Sequence, residues 1–90
     1  MGVKIHIHKT HRQYTDGLSV VETAGDTVGM CLTDLVKQYP SIKPEIFTSE
    51  GKPTRKIEIY LNMESAYPDE LEKPVKDGDD IHLTLLLAGG

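Results

Sequence analysis

The stretch Asp77-Gly78-Asp79-Asp80-Ile81-His82-Leu83-Thr84-Leu85-Leu86-Leu87 decides the fold of this 90-residue chain. Asp77-Gly78-Asp79 has the chemistry of a tight turn, because glycine adopts positive φ without a steric penalty. Ile81 to Leu87 then reads as a strand, with Ile81, Leu83, Leu85 and Leu87 on one face. Leu86 is out of phase with these and is expected on the opposite face, with His82. A strand this rich in aliphatics belongs at the centre of a sheet, covered along both edges. Its expected neighbour is Val3-Lys4-Ile5-His6-Ile7-His8, whose strict alternation turns Val3, Ile5 and Ile7 toward a core.

Two more strands lie between them. Leu18 to Glu22 follows the turn pair Asp16-Gly17 and reads as the returning arm of a hairpin, although the adjacency of Val20 and Val21 leaves its register open. Arg55 to Asn62 alternates, with Ile57, Ile59 and Leu61 on one side and Glu58 and Tyr60 on the other. A helix separates the two. Thr27 is a good N-cap, and Val28, Cys31, Leu32, Leu35, Val36 and Tyr39 recur at helical spacing in one apolar stripe. Pro40 ends it, since the residue before a proline is pushed out of the α region. Gly29 falls opposite the stripe and reads as a tolerated cost of about 1 kcal/mol relative to Ala. Ser41 to Thr54 holds one helical turn and a loop through Glu50-Gly51-Lys52-Pro53, and Met63 to Pro74 reads as an acidic connector with one further turn. The order strand, strand, helix, strand, strand predicts one α+β domain over residues 1–90. Its mixed four- to five-stranded sheet packs on one main helix as in the β-grasp, with a flexible tail at 88–90.

Composition narrows the function. A formal charge of −4 disfavours nucleic acid, which calls for a basic face, and matches a partner with a basic docking surface. The single cysteine, Cys31, permits no internal disulfide, so a reducing cytoplasm is the expected home. Met1 to Lys9 lacks the apolar run of a secretory signal, and Leu85 to Ala88 is too short to span a bilayer, so no membrane association is expected. No nucleophile–base pair, phosphate-binding glycine loop or paired carboxylates can be assembled, which points to a carrier and not an enzyme.

The reactive feature is the end of the sequence, Ala88-Gly89-Gly90. Two residues without side chains let an enzyme cleft close on the backbone and reach a terminal carboxylate. The elements Gly25-Asp26-Thr27-Val28, Leu35-Val36-Lys37-Gln38-Tyr39-Pro40, Ile57-Glu58-Ile59-Tyr60-Leu61-Asn62 and Pro74-Val75-Lys76-Asp77-Gly78-Asp79-Asp80-Ile81, running on to Ala88-Gly89-Gly90, together resemble the MoaD/ThiS-like sulfur carriers of the ubiquitin-like β-grasp. The likeness covers nearly the whole chain. It implies a monomeric protein that binds no cofactor and whose Gly90 carboxylate, presented by Gly89, is adenylated with ATP by an E1-like partner enzyme. A persulfide sulfur donor, fed by a cysteine desulfurase, then replaces the adenylate, and the thiocarboxylate passes its sulfur to an accepting enzyme of cofactor or metabolite biosynthesis (molybdopterin, thiamin, cysteine, a thioacid or tRNA). Many members carry Asn-Gly-Glu after the middle strand, whereas here Asn62 precedes Met63-Glu64.

The family's docking face is the outer side of the sheet, which implicates Leu86, Tyr60 and His82; Leu87 and Ala88, leading into the tail, are also expected to meet the partner, with Asp79 as a charged contact for a basic one. His6, His8 and His82 are expected to share that face, reading as exposed histidines and not as a metal site. His11 lies in the hairpin loop with no specific role. Cys31, within the helix stripe, reads as buried and not as a persulfide acceptor. Two alternatives share the architecture: a ubiquitin-like modifier conjugated through Gly90, recognised by higher-mass conjugates, and a binding module, recognised by failure to be adenylated.

Overall fold

A computed structural model describes residues 2–85. Strand β1 (Val3–His6) pairs antiparallel with β2 (Val20–Thr23), Ile5 opposite Val21. Strand β5 (Asp80–Leu85) runs parallel to β1 along its other edge and antiparallel to β3 (Ile57–Leu61), which ends in a short hairpin with β4 (Glu64–Ser65). The sheet order is therefore β2-β1-β5-β3-β4, a five-stranded mixed sheet with the aliphatic strand at its centre.

Helix α1 (Val28–Gln38) covers one face of the sheet. The Thr27 hydroxyl accepts the Met30 N–H at 3.1 Å and caps its first turn, as the sequence predicts. Val28, Cys31, Leu32 and Leu35 are fully buried, and Val36 and Tyr39 pack at the margin. Each of the two leucines contributes roughly 1.5–3 kcal/mol by leaving water. After Pro40 a 3-10 turn (Pro40–Ile42) runs into α2 (Lys43–Ile46), and Ile42 and Ile46 close the core from the side.

Packing settles what periodicity left open. Val21 and Thr23 face inward while Val20 is exposed, because Ile5 and Val3 stand opposite them on the inner face. Strand β1 stops at His6 and not at His8. Ile7 still donates its N–H to Ser19 O at 2.8 Å, but His8 already caps a 3-10 helix (Lys9–Tyr14). His11, expected to be unremarkable in the loop, is buried there with Nε2 3.4 Å from Glu45 Oε1, and Lys56 Nζ meets the other carboxylate oxygen at 3.4 Å. Leu85 is half-buried at the open end of the sheet, opposite Ile57.

The connector after β3 carries more structure than its composition suggests. Leu61 pairs with Glu64, so Asn62 and Met63 form a two-residue hairpin loop, with φ of 50° and 72°. Positive φ at both positions is the requirement of the hairpin loops whose twist matches the strands. Asparagine tolerates it, whereas an unbranched apolar side chain there costs on the order of 1 kcal/mol. Asn62 also holds the start of β5. Its N–H donates to Asp80 O at 2.8 Å, its side-chain oxygen accepts the Asp80 N–H at 2.9 Å, and its Nδ2 donates to Asp79 Oδ1 at 3.1 Å. The other Asp79 oxygen accepts the Lys76 N–H at 2.9 Å.

Further along, a 3-10 helix (Glu70–Glu72) lies against α1. A Cβ built on Gly29 would stand 2.8 Å from Leu71 O and 3.0 Å from Leu71 Cβ. Gly29 is therefore where two backbones approach, and not a residue merely tolerated on an open face. Gly29→Ala is expected to lower stability by 1 kcal/mol or more, about the reverse of the gain an open helix position gives, read by denaturant unfolding.

The hydrogen bonds from Lys76 and Asn62 hold the Asp79 carboxyl below its ordinary value of 3.8. A depressed carboxyl pKa adds stability that is complete above the ordinary value and is lost as pH falls through the folded value. Acid unfolding of the wild type should therefore steepen below about pH 4. Asp79→Asn should be less stable at neutral pH, because its amide meets the Asn62 amide donor, and should show a shallower acid limb.

Candidate functional site

Because α1 and the short helices cover one side of the sheet, the other side is free of helices among the described residues. The side chains there follow from the alternation of each strand: Val20 and Glu22 on β2, Lys4 and His6 on β1, Asp80, His82 and Thr84 on β5, Glu58 and Tyr60 on β3. Glu22, Glu58 and Asp80 outnumber Lys4 and Arg12, the latter beside His6 and His82, so this face is acidic on balance.

The centre is well fixed. His6 and His82 are register partners across the β1–β5 seam, and their rings stack with centroids 4.0 Å apart and planes 5° from parallel. His6 Nε2 lies 2.8 Å from Asp80 Oδ1. That bond holds the Asp80 carboxyl below its ordinary range. Desolvation, and then the neighbouring His6, push the His82 imidazole below its usual value. Its Nδ1 is buried and finds no hydrogen-bond partner among the described residues. On the other side of β5, Tyr60 is the register partner of His82 and donates its hydroxyl to Glu58 Oε1 at 3.1 Å. Accepting that bond, Glu58 raises the phenol pKa. Tyr60, Met63, His82 and Thr84 together line a shallow cavity of about 300 Å³.

Of the residues singled out from the sequence, Tyr60 and His82 come together on this face. Asp79 does not join them: it is nearly inaccessible, and its two oxygens accept from Asn62 Nδ2 and the Lys76 N–H. Leu86, Leu87, Ala88, Gly89 and Gly90 lie outside the described residues. His8 sits past the end of β1 with Nδ1 accepting the Thr10 N–H at 3.2 Å, so the expected trio of histidines is a stacked pair with a neighbour. Among the described residues, no three His, Cys, Asp or Glu side chains are placed to hold a metal ion. Cys31 is fully buried, and burial raises its thiol pKa above the ordinary value, which keeps it protonated and a weak nucleophile. No described helix is long and apolar enough to cross a membrane.

Sequence reading did not single out Met63 or Thr84. Thr84 was available from the phase of its strand. Met63 was hidden because nothing in the sequence alone placed it in a two-residue loop beside Tyr60.

No protein-family model matches the chain. The sulfur carrier protein CysO of Mycobacterium tuberculosis is 32% identical over an alignment that spans the whole of both chains. A chain of the Amycolatopsis orientalis BexX/CysO complex superposes with a TM-score of 0.87, at 33% identity over 99% of this chain and 100% of that one. The small archaeal modifier protein SAMP1 of Methanosarcina acetivorans gives a TM-score of 0.82, at 25% identity over 98% of this chain and 95% of that one. With the β-grasp topology and the identity across its full length, this chain belongs to the CysO-type sulfur carriers of the ubiquitin-like, MoaD/ThiS-like family.

Proposed function

We propose that sulfur is carried on the C-terminal carboxylate of Gly90. A separate E1-like enzyme activates it: a carboxylate oxygen attacks the α-phosphorus of ATP, the bond to the β-phosphate breaks, and pyrophosphate leaves an acyl-adenylate. The terminal sulfur of a cysteine-derived persulfide then attacks the acyl carbon and expels AMP. A second thiol on the donor releases the thiocarboxylate as the donor sulfurs close to a disulfide. The thiocarboxylate passes its sulfur to an accepting enzyme in the cytoplasm.

One observation carries this reading. The strand that leads to Ala88-Gly89-Gly90 is the central one, held by β1 at Asp80 to His82 and by β3 from Ile81 to Leu85. The fold thus anchors rigidly the segment from which the reacting terminus departs, and a partner can use the helix-free face beside it. Alignment with CysO over the full length of both chains supports the same assignment, and the BexX/CysO complex supports a protein partner. The likeness to SAMP1, a modifier protein, favours a second use of the same carboxylate, isopeptide conjugation. Higher-mass conjugates in lysate of the host would identify that use.

With the host's adenylating enzyme, AMP is expected on Gly90 alone, read by intact-mass and peptide spectra. Gly89→Val should abolish it with folding retained, because a β-branched residue restricts φ and ψ and widens a segment that must thread a narrow cleft. One residue added after Gly90 should do the same by displacing the carboxylate about 3.5 Å, where about 1 Å already costs on the order of a hundredfold in rate. Wild-type activation of either variant rules Gly90 out as the working group.

Cys31→Ala should retain adenylation and sulfur loading while losing about 1–2 kcal/mol of stability to the cavity it leaves. Loss of sulfur loading in this variant would move the carrier chemistry to the thiol.

A further inference from the structure

Met63 occupies a position that the backbone would fill more cheaply with another residue. It is the second member of the two-residue loop between β3 and β4, at φ 72°, where glycine incurs no steric penalty. Its side chain is 75% exposed, so packing within the fold does not repay the strain. Strain kept without an internal return marks a residue retained for something outside the molecule. The side chain reaches over the helix-free face and completes the shallow cavity formed with Tyr60, His82 and Thr84. The floor beneath it is rigid, because Tyr60 is tied to Glu58 and His82 is stacked on His6.

We propose that Met63 is the specificity anchor of the carrier: it inserts into an apolar pocket, rimmed by basic side chains, on the adenylating enzyme. The charge of the face dictates the rim. Glu22, Glu58 and Asp80 outnumber Lys4 and Arg12 on this face, so an acidic collar would be repelled where a basic one is drawn in. The thioether dictates the pocket, being flexible, polarisable and suited to an irregular apolar hole. The hairpin tip projects the anchor at one end of the face, with Tyr60 and His82 behind it. This inference rests on the adenylation reading above.

The test sets stability against recognition. Wild type, Met63→Gly and Met63→Leu are compared in thermal melts and in ATP-dependent adenylation by the host's adenylating enzyme, with the carrier as varied substrate. Relief of the positive φ should raise the melting temperature of Met63→Gly by several degrees. The same variant should raise KM for the carrier about tenfold, as loss of an interface anchor does, with kcat unchanged. Met63→Leu should return KM to near the wild-type value while keeping the wild-type melting temperature. A residue with only a structural role cannot give opposite signs in the two measurements. Met63→Gly with wild-type KM overturns the anchor, a lowered melting temperature overturns the strain, and failure of leucine to rescue overturns the apolar pocket. A wild-type protein that is not adenylated at all overturns the adenylation reading itself, and this inference falls with it.

Discussion

The fold depends on β5 being paired along both edges. Ile81 is completely buried and Leu83 nearly so, and the strand has β1 parallel on one side and β3 antiparallel on the other. A parallel neighbour cannot be reached by a hairpin, so the chain must cross over before it returns. The crossover contains α1, and one crossover can cover one face. The asymmetry of the molecule, a helical side and a bare side, follows from that requirement.

The bare side is then free to acquire surface chemistry that a buried face could not hold. Two pairs of its polar groups satisfy one another in the plane of the sheet: His6 with Asp80, Tyr60 with Glu58. Such pairs fix rings in place at little cost in side-chain entropy, because each ring has only two torsions to lose. The face presents a preorganised aromatic centre.

The sequence made the architecture legible wherever burial imposes a period. Alternation in β1, β3 and β5 and the stripe of α1 are direct images of the core. Legibility failed where backbone geometry and not burial decides. Strand β4 is two exposed polar residues, visible only through the positive φ of Asn62 and Met63. Gly29 reads as a weak helix residue until Leu71 is seen against it. The role of His11 depends on Glu45, thirty-four positions away, reached only through the packing of α2. For the site, Tyr60 and His82 followed from strand phase. Asp79 looked like a surface charge because a turn aspartate and a docking aspartate are the same residue in a sequence, and only the Asn62 and Lys76 donors distinguish them.

The central placement of β5 also has a mechanical meaning. A force applied at Leu85 along the strand enters the β3 ladder, which runs from Leu85 to Ile81, and reaches the β1 ladder at Asp80 to His82. Hydrogen bonds strained together in shear resist far more than those of an edge strand, which unzip one at a time. A pull on the end of β5 therefore loads the sheet in shear, and the domain behaves as a rigid handle.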